Sequence, residues 1–174
     1  MKTVLATIVV CIIVLAAAGV GFIYSGAYDV AAVNPDNPLV AKIIHEVSDR
    51  SVAARLSGIQ VPSGLDKPET IAAGAKIYGQ TCAVCHGGPG LGPSFINAGL
   101  NPTPPDLFRA GRHPDPQEDD WFITNGVRMT GMPGFTKSLT VDQIWSLVAF
   151  LNIAPGMTAQ DFSAKTGLSA AAAP

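Results

Sequence analysis

About 22 residues near the start of the chain, Thr3 to Tyr24, carry no charge and are mostly apolar. As a helix they reach about 33 Å, enough to cross a bilayer core of ~30 Å. A cleavable signal is the alternative, with Val4 to Leu15 as its apolar core and Ala16-Ala17-Ala18 as the peptidase site. The apolar run continues through Gly19 to Tyr24, which favours an uncleaved anchor over residues 1–24. Lys2 precedes the run and no basic residue follows until Lys42, so the positive-inside rule places the rest of the chain outside the cytoplasm. Cys11 follows Val9-Val10 and lacks the small residues of a lipidation site.

A polar, Pro- and Asn-rich linker follows, and the pattern then turns helical. Leu39, Ile43, Ile44, Val47 and Ala54 recur at helical spacing opposite Lys42, Glu46, Asp49 and Arg50, predicting an amphipathic helix over 39–56. Linker and helix together make a segment 25–65; His45 on it reads as a surface imidazole. Asp66 and Glu69 resemble a capping box, with Pro68 in the first turn, and predict a helix to about Gln80 with Ile71, Ala75 and Tyr78 on one face. Two stiff loops follow, Gly87 to Pro93 and Asn101 to Leu107, too rich in Gly and Pro for regular structure. Asp115-Pro116-Gln117-Glu118 is a second helix start, and that helix stops near Gly126. The last strong pattern is Val141, Ile144, Trp145, Val148 and Leu151 behind a Thr140/Gln143 capping box. Residues 66–153 thus form an all-α domain, and 154–174, polar and then Ala-rich, read as a weakly ordered tail.

Composition changes this picture little. The chain has 174 residues, 14% of them charged, and a formal charge of -2; its mean hydropathy of +0.31 is raised by the N-terminal run. With no basic run and no interleaving of basic and aromatic residues, nucleic acid is not a partner. The acidic stretch Asp115 to Asp120 could steer a basic partner or simply solvate a helix start.

Chemistry is concentrated in Cys82-Ala83-Val84-Cys85-His86. Two thiols three residues apart with an imidazole next in line is the spacing that attaches haem covalently. Each thiol closes a thioether to a vinyl group, and His86 then reaches the iron. A thioredoxin-like pair would need a βαβ setting, which the pattern lacks. A zinc site would need four ligands, and the only other cysteine is Cys11. One CxxCH predicts one haem c, held through Cys82 and Cys85. For the sixth position the candidates are Met129, Met132, Met157 and His113. Met132 is favoured, because Thr130-Gly131-Met132-Pro133-Gly134 leaves an extended backbone and a projecting thioether. Met129 reads as core packing, Met157 lies past the last helix, and His113 would give a lower potential.

From Asp66 to Ile153 the chain resembles class I cytochrome c. Gly74 and Tyr78 match the Gly-x-x-x-aromatic of that family's first helix, and Val148-Ala149-Phe150-Leu151 its last. Asn125 to Phe135 is similar to its distal loop, whose Met before Pro binds iron; that transfers to Met132. The resemblance implies a class I fold around one haem, with the N-terminal and C-terminal helices crossing. Ala27 to Ala32 and Ser51 to Arg55 resemble a subgroup of membrane-anchored bacterial cytochromes associated with respiratory chains and periplasmic dehydrogenases. The expectation is therefore a carrier of single electrons rather than an enzyme. It would sit in the bacterial inner membrane with its haem domain facing the periplasm, between a dehydrogenase donor and a higher-potential acceptor such as a terminal oxidase. A fixed subunit of a larger membrane redox complex is the alternative. Were Met132 not a ligand, an open iron would suit a sensor or a peroxidase.

Overall fold

The computed structural model describes residues 1–92 and 94–169, and all regular structure among them is helical. Two units divide the chain, Met1–Ala31 and the part from Ala32 onward.

The first unit is helix α1, Lys2–Ser25, ended by Gly26 in the left-handed region at φ 66. None of its residues is buried. Among the described residues it is the one helix long and apolar enough to cross a membrane.

In the second unit α2 runs Pro38–Ala53, with Pro38 in its first turn and the Asn37 side chain accepting from Leu39 and Val40 N–H. Only Val52 of this helix is buried. A 3-10 turn at Leu56–Gly58 follows, and Gln117 Nε2 donates to the carbonyls of Leu56 (3.4 Å) and Ile59 (2.7 Å). The segment expected as a separate 25–65 stretch is therefore joined, from α2 onward, to the body that follows.

Helix α3 spans Pro68–Thr81 and α4 is the single turn Ala83–His86. The Asp66/Glu69 capping box does not form: Lys67 is the N-cap and has no side-chain bond, which leaves Asp66 outside the helix and Glu69 one place short of the third position. Glu69 still sits in the first turn, where a carboxylate suits the helix dipole. Helix α5, Pro116–Asn125, starts as expected, with Asp115 accepting from Gln117 and Glu118 N–H. Helix α6, Val141–Asn152, carries the complete Thr140/Gln143 box.

The core lies where α3 crosses α6. Gly74 makes the crossing possible, because a Cβ there would stand 1.8 Å from the Ser146 carbonyl oxygen and 3.0 Å from Phe150 Cβ. Packing around it are Ala75, Tyr78, Leu147, Val148 and Phe150, all fully buried. Val141, expected on the apolar face, is exposed instead; it opens the helix a turn before the crossing.

The expected tail needs a correction. Residues Ala159–Thr166 form helix α7, capped by Thr158 and ended by Gly167 at φ 76. Its Phe162 is fully buried against Tyr78 (centroids 6.2 Å) and Phe108 (5.1 Å). One aromatic anchor in eight residues gives no readable period, which is why the pattern missed it. The Ala-rich end, residues 170–174, lies outside the described residues, as does Pro93 of the first Gly/Pro loop.

Candidate haem site

Helix α3 delivers the motif. Cys82 N–H closes on Tyr78 O (2.9 Å), and His86 N–H on Cys82 O (2.9 Å), so α4 continues the helical path almost without a break. Side chains three and four apart share a helix face, which puts Cys82, Cys85 and His86 on one side of that turn. Neighbouring segments clamp the turn. Asn97 Nδ2 donates to Cys85 O (2.7 Å), the Ser94 hydroxyl to Val84 O, and the Tyr78 hydroxyl to Gly87 O (2.9 Å).

His86 is half-buried, and its Nδ1 lies 3.1 Å from Pro105 O. A carbonyl can only accept, so Nδ1 carries the proton and the Nε2 lone pair is left for a metal. Burial is the main influence holding the His86 pKa below its ordinary value; the nearby Arg112 charge adds to it, and the Pro105 bond opposes it. The outcome is a neutral imidazole, the ligating form. Cys82 is pushed up, chiefly by burial.

The distal loop is closed on itself. Val127 N–H donates to Met132 O (3.0 Å), Thr130 Oγ1 to Val127 O (2.8 Å), and Met132 N–H to Thr130 Oγ1 (3.1 Å). Phe135 N–H to Ile123 O (2.9 Å) ties the loop to α5. Close backbone approach locks the ends: a Cβ on Gly126 would stand 2.4 Å from Gly134 N. Met132 is half-buried. Met129, expected as core packing, is 93% exposed at φ 62 on the outside of the loop. His113 is exposed. A crevice of about 600 Å³ opens beside His86, lined by Gly88, Leu91, Asp106, Phe108 and Met157 among others; Met132 does not line it. The distal loop instead meets Leu100, which fills the space over Gly131 and follows the Asn97–Gly99 turn whose Asn97 bonds Cys85 O.

One feature of the site was not anticipated from the sequence. Arg112, in the loop before α5, pairs with Asp119, 8% exposed, on α5. Arg112 Nη1 and Asp119 Oδ2 are both buried without a partner. Arg112 lies close enough to His86 for its charge to be felt there. An unpaired buried guanidinium N–H calls for an anionic acceptor, and the carboxylates of a haem supply one. Two thiols, a neutral imidazole and this free donor fit the group that the motif implies.

Residues 69–151, from the first turn of α3 to the last of α6, match the family model for cytochrome c oxidase, cbb3-type, subunit III. This domain is a monohaem c-type cytochrome. A cytochrome of this type binds haem c covalently, and Cys82 and Cys85 stand at the spacing that does so. No curated protein matches the sequence. The cytochrome domain is all-helical among its described residues, as the sequence predicts.

Proposed function

We propose that the chain is a membrane-anchored carrier of single electrons, with α1 in the bacterial inner membrane and the cytochrome domain on the periplasmic side. It takes electrons from a respiratory or periplasmic dehydrogenase and passes them to a higher-potential acceptor such as a terminal oxidase. The observation that carries this is the α4 turn, with Cys82, Cys85 and His86 on one face and His86 Nδ1 committed to Pro105.

In this assignment Cys82 and Cys85 would hold the haem, His86 Nε2 and the Met132 sulfur would ligate its iron, and Arg112 Nη1, buried without a partner, would donate to a haem carboxylate. When bound, the haem supplies reversible one-electron chemistry. Met132 is preferred to Met157 because it stands half-buried in a loop closed on itself by the Val127, Thr130 and Met132 hydrogen bonds. Met157 lies beyond the matched residues 69–151. A thioether favours Fe(II), and the apolar packing around α3 and α6 disfavours added charge, so both push the potential upward. With His86 and Met132 both committed to the iron, no ligand position would be left for a substrate, and these residues would serve transfer rather than turnover.

Visible spectroscopy of the purified protein tests the assignment. A six-coordinate spectrum with the weak iron–sulfur band near the red edge is expected. Ready binding of carbon monoxide by the native protein would refute a closed site. The match to an oxidase subunit also supports a second reading, a fixed component of a larger membrane complex. Stoichiometric copurification with membrane partners would select it over a free shuttle.

A further inference from the structure

Helix α2 presents an apolar stripe that no described residue of its own unit covers. Leu39 (66% exposed), Val40 (41%), Ile43 (53%), Ile44 (61%) and Val47 (59%) face outward. At 3.6 residues per turn these five fall within an arc of about 140°. Val52, the residue that docks α2 on the cytochrome body, sits about 150° from the middle of that arc. The stripe is therefore not the side that meets the body. It is aliphatic throughout, without the Trp, Tyr or Arg anchors that dominate protein interfaces. Arg50 falls within the same arc one turn past Val47, but it pairs with Glu46 on the polar side, Nε 2.7 Å from Oε1; Lys42 and Arg50 balance Glu46 and Asp49, and His45 pairs with Asp49 at 3.7 Å.

Position along the chain selects the occupant. Only residues 26–37 separate α2 from the end of α1, and fully extended they reach about 42 Å at most. Tyr28, Val30 and Val33 within that linker are themselves exposed apolar side chains. We infer that α2 lies on the lipid surface, its Leu39–Val47 stripe sunk among the acyl chains at the interface, as amphipathic interfacial helices do. The inference rests on the membrane-anchored reading of α1. Because the polar side is balanced in charge, the contact is hydrophobic and needs no anionic lipid. Because Val52 and the Gln117 bonds to Leu56 and Ile59 fix this end of the segment to the body, the contact also sets how the cytochrome domain is presented to its redox partners.

The test uses the full chain with its haem attached, in phosphatidylcholine vesicles. Cys11→Ser removes the one thiol not consumed by haem, and nitroxide labels are placed singly through Ile43→Cys, Val47→Cys and His45→Cys. Labels at 43 and 47 are expected to collide several-fold more often with oxygen than with a water-soluble nickel chelate, and the label at 45 the reverse, unchanged at high salt. A chain that fails to float with the vesicles overturns both the anchor and this contact. One that floats while labels 43 and 47 behave like 45 overturns the contact alone. Labels shielded from both reagents and broadened by each other mean that a second copy covers the stripe, and shielded labels without broadening mean that the chain covers it itself; either result overturns the lipid assignment.

Discussion

Replacing Gly74 by Ala sets two effects of opposite sign against each other. Within a helix, Ala is better than Gly by about 1 kcal/mol, so α3 alone would gain. At this position, however, the new Cβ would stand 1.8 Å from the Ser146 carbonyl oxygen and 2.5 Å from the Ser146 carbonyl carbon. Those are backbone atoms of α6 and cannot rotate away. The two helices have to part by about 1.5 Å or more before contact returns to an ordinary 3.5 Å. A gap of even 1 Å forfeits up to about half of the dispersion energy across it, and the surfaces involved are those of Ala75, Tyr78, Leu147 and Phe150. Overpacking of a close-packed core costs about 1–3 kcal/mol, and backbone-to-backbone strain places this case at the upper end. The net expectation is a loss of about 2 kcal/mol. For a domain of this size that lowers the melting midpoint by roughly 10 °C. Helical ellipticity and haem absorbance, followed together on the detergent-solubilised holoprotein, give the midpoint. A Gly74→Ala protein as stable as the native one, or more so, would refute the close crossing, because propensity would then be the only effect acting.

The remaining predictions concern the site and its support. Cys82→Ala or Cys85→Ala should leave one thioether, and the double change should release haem on a denaturing gel, read by haem staining. Met132→Ala should abolish the iron–sulfur band and admit carbon monoxide, and Met132→His should keep six-coordination but lower the potential in a redox titration; Met129→Leu, on an exposed side chain, should leave the band in place. Phe162→Ala should destabilise by about 3–5 kcal/mol in denaturant titration, the range for a buried Phe, whereas a loose tail would give no change. Asp119 has its pKa raised by burial, against the opposing pull of Arg112. The unfolded chain therefore loses this proton first as pH rises, and stability falls from about pH 4 up through the raised value; Asp119→Asn should flatten that slope in unfolding measurements across pH.

What could be read in advance follows from how local each signal is. Caps such as Asp115 with Pro116 and Thr140 with Gln143 act within one turn, and both appear as the sequence predicts. Spacing in Cys82 to His86 and the Gly74/Tyr78 pair is equally short-range. Lys67 displaced Asp66 as N-cap because Pro68 takes the first helical position, a competition between two start signals one residue apart. Arg112 with Asp119 was out of reach for another reason. Arg112 sits in an irregular loop with no period to place it, and the Asp115 to Asp120 stretch reads uniformly as solvated acid. Folding sorts that stretch into different roles: Asp115 caps α5 and Asp119 turns inward to Arg112. Met129 and Met132, three residues apart, differ only in how the closed loop aims them, which no periodicity records.

Tyr78 shows why the support of the haem and the stability of the fold are one problem. Its ring meets Phe108 at 5.4 Å, Phe150 at 5.3 Å and Phe162 at 6.2 Å, which joins α3 to α6, to α7 and to the loop after Pro105. Its hydroxyl spends its one proton on Gly87 O, just past the motif, and burial drives its pKa far above the usual phenol value, so the proton stays there. Phe108 in turn accepts from Gly156 N–H through its carbonyl (2.9 Å) and lies three residues past Pro105, the residue that orients His86. A shift of α6 or α7 thus moves Tyr78, and with it the carbonyl end of the haem-bearing turn; a shift of Phe108 moves the acceptor of His86 Nδ1–H. Interiors this closely packed transmit displacement rather than absorb it. The aromatic cluster therefore holds the imidazole's direction as well as the fold, and the two should be lost together on unfolding.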